Sequence, residues 1–263
     1  MSRSDFYRKV KPTRSKDKEL IQTVIHYFKK HHGIYGRIRI CKDMQRDGIE
    51  IEEHKVGRIL RENGLFAKGG HLKRKHPRPT KQQYIEENLI EDKFSVTEAN
   101  YLWCSDITEF ECEHGRKLYL CGVIDVATRR IVGWSIANNE RQQLVQEAFK
   151  MAVGRNPQRP EGAIYHSDRG SQFTAQKTKE LVAKNGFRRS MSRPGKPSDN
   201  QPIESFWATM KRELPDIRKM SYKEAEMRLV KYIEMYYNAD RLHSGIDYHT
   251  PNEFLTSLSV RVS

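Results

Sequence analysis

The chain has 263 residues, 37% hydrophobic and 10% aromatic, enough for one sizeable core and a smaller second domain. No run reaches the roughly 18 apolar residues of a membrane span, and the N-terminus MSRSDFYRKV has no apolar leader segment, so a soluble, cytoplasmic or nucleoid-associated protein without a membrane partner is expected. The net charge of +14 is uneven: residues 1–80 hold 21 Lys and Arg against 9 Asp and Glu, whereas the rest of the chain holds 27 against 25, which points the N-terminal third at a polyanion.

In chain order, residues 16–31 place Leu20, Ile21, Val24, Ile25 and Phe28 on one stripe of an amphipathic helix. Ile38, Ile40, Cys41 and Met44 then suit a short helix stopped by Gly48, and Val56, Ile59 and Leu60 a second stopped by Gly64. The pair makes a helix-turn-helix about Gly48-Ile49-Glu50-Ile51. Lys55, Arg58 and Arg61 lie off the apolar face of the second helix, where a groove-reading helix carries its cations. The stretch AKGGHLKRKHPRPTKQQ, residues 67–83, has no apolar period and reads as a basic linker whose Lys73, Arg74 and Lys75 can track phosphates.

From residue 100 the pattern changes. YLWCSDITEFEC, KLYLCGVIDVAT and RRIVGWSIAN read as three consecutive strands. ERQQLVQEAFKMAV is a helix, GAIYHSD a buried strand, AQKTKELVAKNG a helix and FRRSMS a short strand. A helix follows in SDNQPIESFW, where Ser198 and Gln201 have the spacing of a capping box and Pro202 is tolerated only in a first turn. This order predicts an α/β domain with one mixed five-stranded sheet and flanking helices. Cys41, Cys104, Cys112 and Cys121 form no CxxC pair and have no histidine at zinc-finger spacing, so they read as reduced core residues.

Three acids stand where such a sheet can bring them together: Asp106 inside the first strand, Asp168 at the end of the fourth, and Glu204 on the helix after the fifth. Buried, unpaired carboxylates are destabilising by several kcal/mol each, roughly, so a cluster of them calls for a bound cation. Oxygen donors alone favour Mg2+ or Mn2+ over zinc, and two such ions about 4 Å apart suit phosphoryl transfer on nucleic acid. Asp125 on the neighbouring strand reads as structural. His166 and His243 read as satisfied rather than substrate-touching. Trp103, Trp134 and Trp207 read as core, with base stacking by Trp207 the lesser alternative.

The three acids are separated by 61 and 35 intervening residues. An Asp, Asp, Glu set with this spacing resembles the DDE triad of retroviral integrases and many transposases, built on the ribonuclease H-like fold. YHSDRGSQF, SDNQPIESFW, MKRE, YYNADRLHSGIDYHTPNEF and the entry YGRIRI are similar over nearly the whole chain to the downstream frame, OrfB, of bacterial insertion-sequence family three. The resemblance departs at Gln201-Pro202, where the family often has Ala after Asp-Asn. It implies a transposase catalytic subunit that exposes a 3′-hydroxyl at an element's end and uses it for strand transfer. It also implies Asp106, Asp168 and Glu204 as catalytic residues and metal ligands for Mg2+ (or Mn2+), with two ions per site, and Lys211 as a DNA contact. The implied partners are terminal inverted repeats, target DNA, an upstream-frame product joined by fusion, and further copies of the chain in a synaptic complex. The domains expected are a helical DNA-binding domain over 1–66, a basic linker and lead-in over 67–99, and the catalytic domain with a helical tail over 100–263. A nuclease for RNA–DNA hybrids and an inactive DNA-binding regulator of transposition are the rival functions.

Overall fold

The computed structural model describes residues 15–68, 87–90, 94, 96–193 and 196–262. The chain divides into two units, Met1–Leu72 and Lys73–Ser263. Lys73, Arg74 and Lys75 lie outside the described residues.

The first unit contains helices α1 (Ser15–Lys30), α2 (Arg37–Arg46) and α3 (Glu53–Glu62). Its core takes Val24, Tyr27 and Phe28 from α1, Ile40, Cys41 and Met44 from α2, and Val56, Ile59 and Leu60 from α3. Ile51, in the turn, is also buried. Ile38 is 39% exposed, contrary to its expected place on the apolar face. It lies two residues before Ile40, and two residues at about 100° each turn it to the opposite side of the helix. Leu20, Ile21 and Ile25 are only half-buried. A polar clamp adds to the packing: His31 Nε2 lies 2.6 Å from Asp43 Oδ2, and the His31 ring stacks on Tyr35 at 3.8 Å.

The second unit is a mixed sheet of β1 (Leu102–Glu111), β2 (Lys117–Asp125), β3 (Ile131–Ala137), β4 (Ile164–Ser167) and β5 (Arg188–Met191) in the order β3-β2-β1-β4-β5. β1, β2 and β3 form an antiparallel meander, β4 runs parallel to β1, and β5 parallel to β4. This is the ribonuclease H-like arrangement. Around it stand α4 (Gln142–Arg155), α5 (Ser171–Thr174), α6 (Gln176–Lys184), α7 (Gln201–Glu213), α8 (Tyr222–Lys231) and α9 (Pro251–Val262). α8 runs on into a π-helical turn, Tyr232–Tyr237.

Period-two alternation gives the sheet two apolar faces. Trp103, Cys121 and Val123 pack with Leu144, Phe149 and Phe187 on one side. Leu102, Cys104, Leu120 and Ile124 pack with Ile203, Phe206, Trp207 and Met210 on the other. All four cysteines are buried and free, which matches the reading of them as core residues. The free edge of β5 is met by residues 87–90: Met191 N donates to Glu87 O at 3.2 Å and Leu89 N to Ser190 Oγ at 2.9 Å, while Ile90 is buried. Among the described residues no helix is long and apolar enough to cross a membrane.

The start of α7 departs from expectation. A 3-10 turn over Pro197–Asn200 precedes it, its N-cap is Asn200, and no side-chain capping bond forms, so the Ser198 capping box is absent. Ser198 is exposed. Asn200 instead turns its amide inward and donates to Ser105 O at 3.0 Å. That bond fastens the head of α7 to the strand that carries Asp106.

Candidate active site

Asp106 sits in the middle of β1, its Cα paired with Gly122 across the antiparallel ladder. β4 pairs with β1 up to Ser105 and Ser167, so the next step along both strands sets Asp106 beside Asp168. Glu204 belongs to the first turn of α7, whose N-cap is bonded to Ser105. The middle of one strand, the end of another and the start of a helix thus converge, the strands fixed by ladder pairing and the helix by the Asn200 side chain.

Their charges meet. Burial and then the Asp168 and Glu204 carboxylates push the Asp106 carboxyl up to about 8. Hydrogen bonds from the Ile107 backbone and the Trp207 indole pull it partly back. Asp168 presents an exposed edge, yet the surrounding protein strips enough water from it to raise its carboxyl as well. A backbone bond opposes this: Gly170 N donates to Asp168 Oδ1 at 2.9 Å. A Cβ on Gly170 would lie 3.1 Å from that same oxygen and 2.9 Å from Gln172 Oε1, so glycine leaves room for the carboxylate to keep this bond. Glu204 is exposed at the head of its helix. Among the described residues no three acidic, histidine or cysteine side chains already stand drawn together as a metal cage.

Asp199, which no sequence signal marked out, is fully buried one residue before the N-cap. It accepts from Asn88 Nδ2 at 2.8 Å, Arg193 N at 2.7 Å and Arg193 Nη2 at 2.7 Å. Asp and Asn together therefore build the entry to α7, one holding the preceding loop and the other the strand. Lys211 is exposed two turns beyond Glu204, with Nζ 5.5 Å from the centre of the Phe110 ring on β1. Asp125 is buried and accepts from Asn100 N at 3.0 Å and Thr128 N at 3.1 Å, which ties the β2–β3 turn and accounts for it structurally. His166 is buried between Ser190 Oγ at 2.8 Å and Ser192 Oγ at 3.1 Å. His243 packs edge-on against Tyr237. Trp207 is buried, which removes base stacking as its role. On α3, Arg58 and Arg61 are exposed and Lys55 half-exposed.

The sequence matches the Integrase core domain family over residues 96–197 and again over 185–251, and the HTH-like domain family over residues 15–74. A transposase for insertion sequence element IS904 of Lactococcus lactis is 40% identical over 237 residues, covering 90% of this chain and 92% of that protein. The transposase InsF for insertion sequence IS3A of Escherichia coli K12 is 32% identical over 226 residues, covering 84% and 76%. Among solved structures, the HTLV-2 integrase catalytic core domain in complex with magnesium is 18% identical with a TM-score of 0.45, covering 59% of this chain and 96% of that one.

Proposed function

The chain belongs to the insertion-sequence transposases with an integrase core, DDE polynucleotidyl transferases that recombine DNA, and from that premise we propose that Asp106, Asp168 and Glu204 are the carboxylates at which it cuts and joins strands. The observation that carries this reading is convergence: the pairing of β1 with β4 sets Asp106 beside Asp168, and the Asn200 bond to Ser105 brings the head of the Glu204 helix to the same strand.

The donor set fits hard divalent cations. It offers oxygen atoms only, and the repulsion among its carboxylates has no cure as strong as a shared Mg2+ or Mn2+. Bound there, two such ions supply charge neutralisation for the carboxylates and for the phosphorus-centred charge that builds up during transfer. In cleavage, the oxygen of water bonds to phosphorus at the element's end and the P–O3′ bond breaks, leaving a 3′-hydroxyl and a 5′-phosphate. In transfer, that 3′-oxygen bonds to a second phosphorus and its P–O3′ bond breaks, so the number of phosphodiesters is conserved. In each step the attacking oxygen gives up one proton to solvent and the departing 3′-oxygen takes one from it, and no covalent enzyme intermediate forms.

The protein's own part is placement. β1 and β4 hold the two aspartates side by side, and Asn200 holds the helix of Glu204 against them. Lys211, about 10 Å further along α7 by helical rise, takes the phosphate of the DNA end. Lys55, Arg58 and Arg61 face DNA from the helix-turn-helix, and Lys73, Arg74 and Lys75 add phosphate contacts along the basic linker. The chain acts on terminal inverted repeats and target DNA in a synaptic complex of several copies, joined to an upstream-frame product, within the bacterial cytoplasm and nucleoid. Its domains run 1–66, 67–99 and 100–263.

The test is a duplex ending in the terminal repeat, incubated with the full chain, its upstream partner and Mg2+. Nicks that leave a 3′-hydroxyl and vanish with EDTA are expected. Asp106→Asn, Asp168→Asn and Glu204→Gln should each reduce them to background while DNA binding persists, and Asp125→Asn should keep most of the activity. An Asp168→Asn protein that cuts at a rate close to wild type rejects the assignment and favours a regulator that only binds DNA.

A further inference from the structure

Trp207 lies one helical turn after Glu204 on α7 and donates from its indole Nε1 to Asp106 Oδ2 at 3.0 Å. The contact is made possible by what stands across the ladder from Asp106. Its partner is Gly122, and a Cβ there would fall 2.8 Å from Trp207 Cη2 and 3.1 Å from Cζ2. Any side chain at position 122 would therefore have to displace the ring. The indole is buried, with Phe206 at 4.8 Å on the same helix and Tyr237 beyond it, so the N–H has one direction in which to point. A tyrosine or phenylalanine could fill the same space as hydrophobic mass. A buried indole N–H needs an acceptor, and here that acceptor is one of the proposed catalytic carboxylates.

We propose that Trp207 is a positioning residue for catalysis: lodged over the bare backbone of Gly122, it anchors Asp106 by Oδ2 and so holds the carboxylate in one rotamer, turned to meet a divalent cation. The proposal rests on the reading of Asp106 as a metal ligand. Partners that hold a ligating carboxylate in one rotamer govern how tightly the ion binds, and losing one lowers metal affinity by roughly ten- to a hundredfold. A single helix then delivers two things to the site, the Glu204 carboxylate and, one turn on, the donor that orients its strand-borne partner.

Calorimetric titration of the full chain with Mn2+ tests this without depending on turnover. Trp207→Phe keeps the ring mass and removes the N–H, and its Mn2+ affinity is expected to fall about tenfold or more. Raising Mn2+ should restore its DNA cleavage towards the wild-type rate, a recovery that a packing defect does not give. In an Asp106→Asn background, Trp207→Phe should cause no further loss of affinity, because the two residues act as one unit. Gly122→Ala keeps the indole and displaces it, and should lower affinity in the same direction; it decides the matter if the phenylalanine protein does not fold. Wild-type Mn2+ affinity in Trp207→Phe, with Asp106→Asn defective, overturns the positioning role alone. Wild-type affinity in Asp106→Asn overturns the site assignment beneath it.

Discussion

Arg241 and Glu213 form a two-pronged ion pair sealed from water. Arg241 Nε donates to Glu213 Oε2 at 2.8 Å and Nη2 to Oε1 at 2.7 Å, and the Tyr232 hydroxyl donates to the same carboxylate at 2.9 Å. Glu213 ends α7, the helix that begins near the site with Glu204, while Arg241 lies beyond the π-helical turn. The tail motif is thereby locked to the far end of the Glu204 helix. Removing one partner of a buried pair strands the other, which is destabilising by about 3–5 kcal/mol. Arg241→Leu should lower the unfolding free energy from urea titration by that amount, and Glu213→Leu with Arg241→Leu should lose less than the sum of the single changes. Tryptophan fluorescence suits the measurement, since all three tryptophans lie in the second unit.

Lys211 bears on DNA placement more than on metal. Lys211→Ala should weaken end-specific cleavage chiefly by raising the DNA concentration needed for half-maximal rate, and Lys211→Arg should recover part of the loss. Equal defects in the two proteins, with no change in apparent DNA affinity, point instead to packing of the lysine stem on Phe110.

His166 introduces a dependence on acid. Burial pushes its imidazole down to about 4, against a smaller upward pull from the Asp199 charge. The folded state therefore holds this ring neutral where the unfolded chain, titrating near 6.5, takes up a proton. The sign follows: the contribution is whole above about pH 6.5 and is lost as pH falls towards 4, up to about 3 kcal/mol. Urea midpoints of wild type and His166→Gln, compared at pH 7, 5.5 and 4.5, should converge on acidification, with wild type falling more steeply. Parallel curves contradict this.

Binding to DNA by the isolated chain should fall steeply with salt and discriminate poorly between element ends and scrambled duplex, as expected of phosphate contacts. Substituting Arg58 or Arg61 by Ala should each reduce the salt slope by about 1 if the residue meets a phosphate. Among the described residues the longest helix before the linker, α1, covers fewer than the roughly three heptads that a sustained zipper needs, so pairing of ends should require the upstream product. A preference above about 1000-fold for the terminal repeat by this chain alone refutes that division of labour.

Much of this was legible in the residues because it depends on local period. The three long strands are apolar-rich runs separated by polar turns, the helices carry apolar stripes, and Asp106 stands out as an acid inside a strand. What escaped depends on contacts between distant segments. The sequence offers Ser198 as the cap, and the role of the Asn200 amide shows only once β1 is seen beside it, as that of Asp199 shows only once Arg193 and Asn88 close on it. Trp207 and Gly122 are 85 positions apart, and nothing in either neighbourhood says that an absent side chain makes room for a ring. The four-residue helix α5 is too short to show a period at all.

The strip at residues 87–90 changes where a stand-alone catalytic fragment should be cut. The integrase-core match begins at residue 96, and a fragment started there would strip β5 of its cover and leave a bare strand edge, the kind of template on which copies stack. It would also take Asn88 away from Asp199, slackening the loop that leads into the Glu204 helix. An expression boundary ahead of residue 87 keeps the edge capped and the loop tied, so the boundary set by homology and the boundary set by hydrogen bonding are not the same.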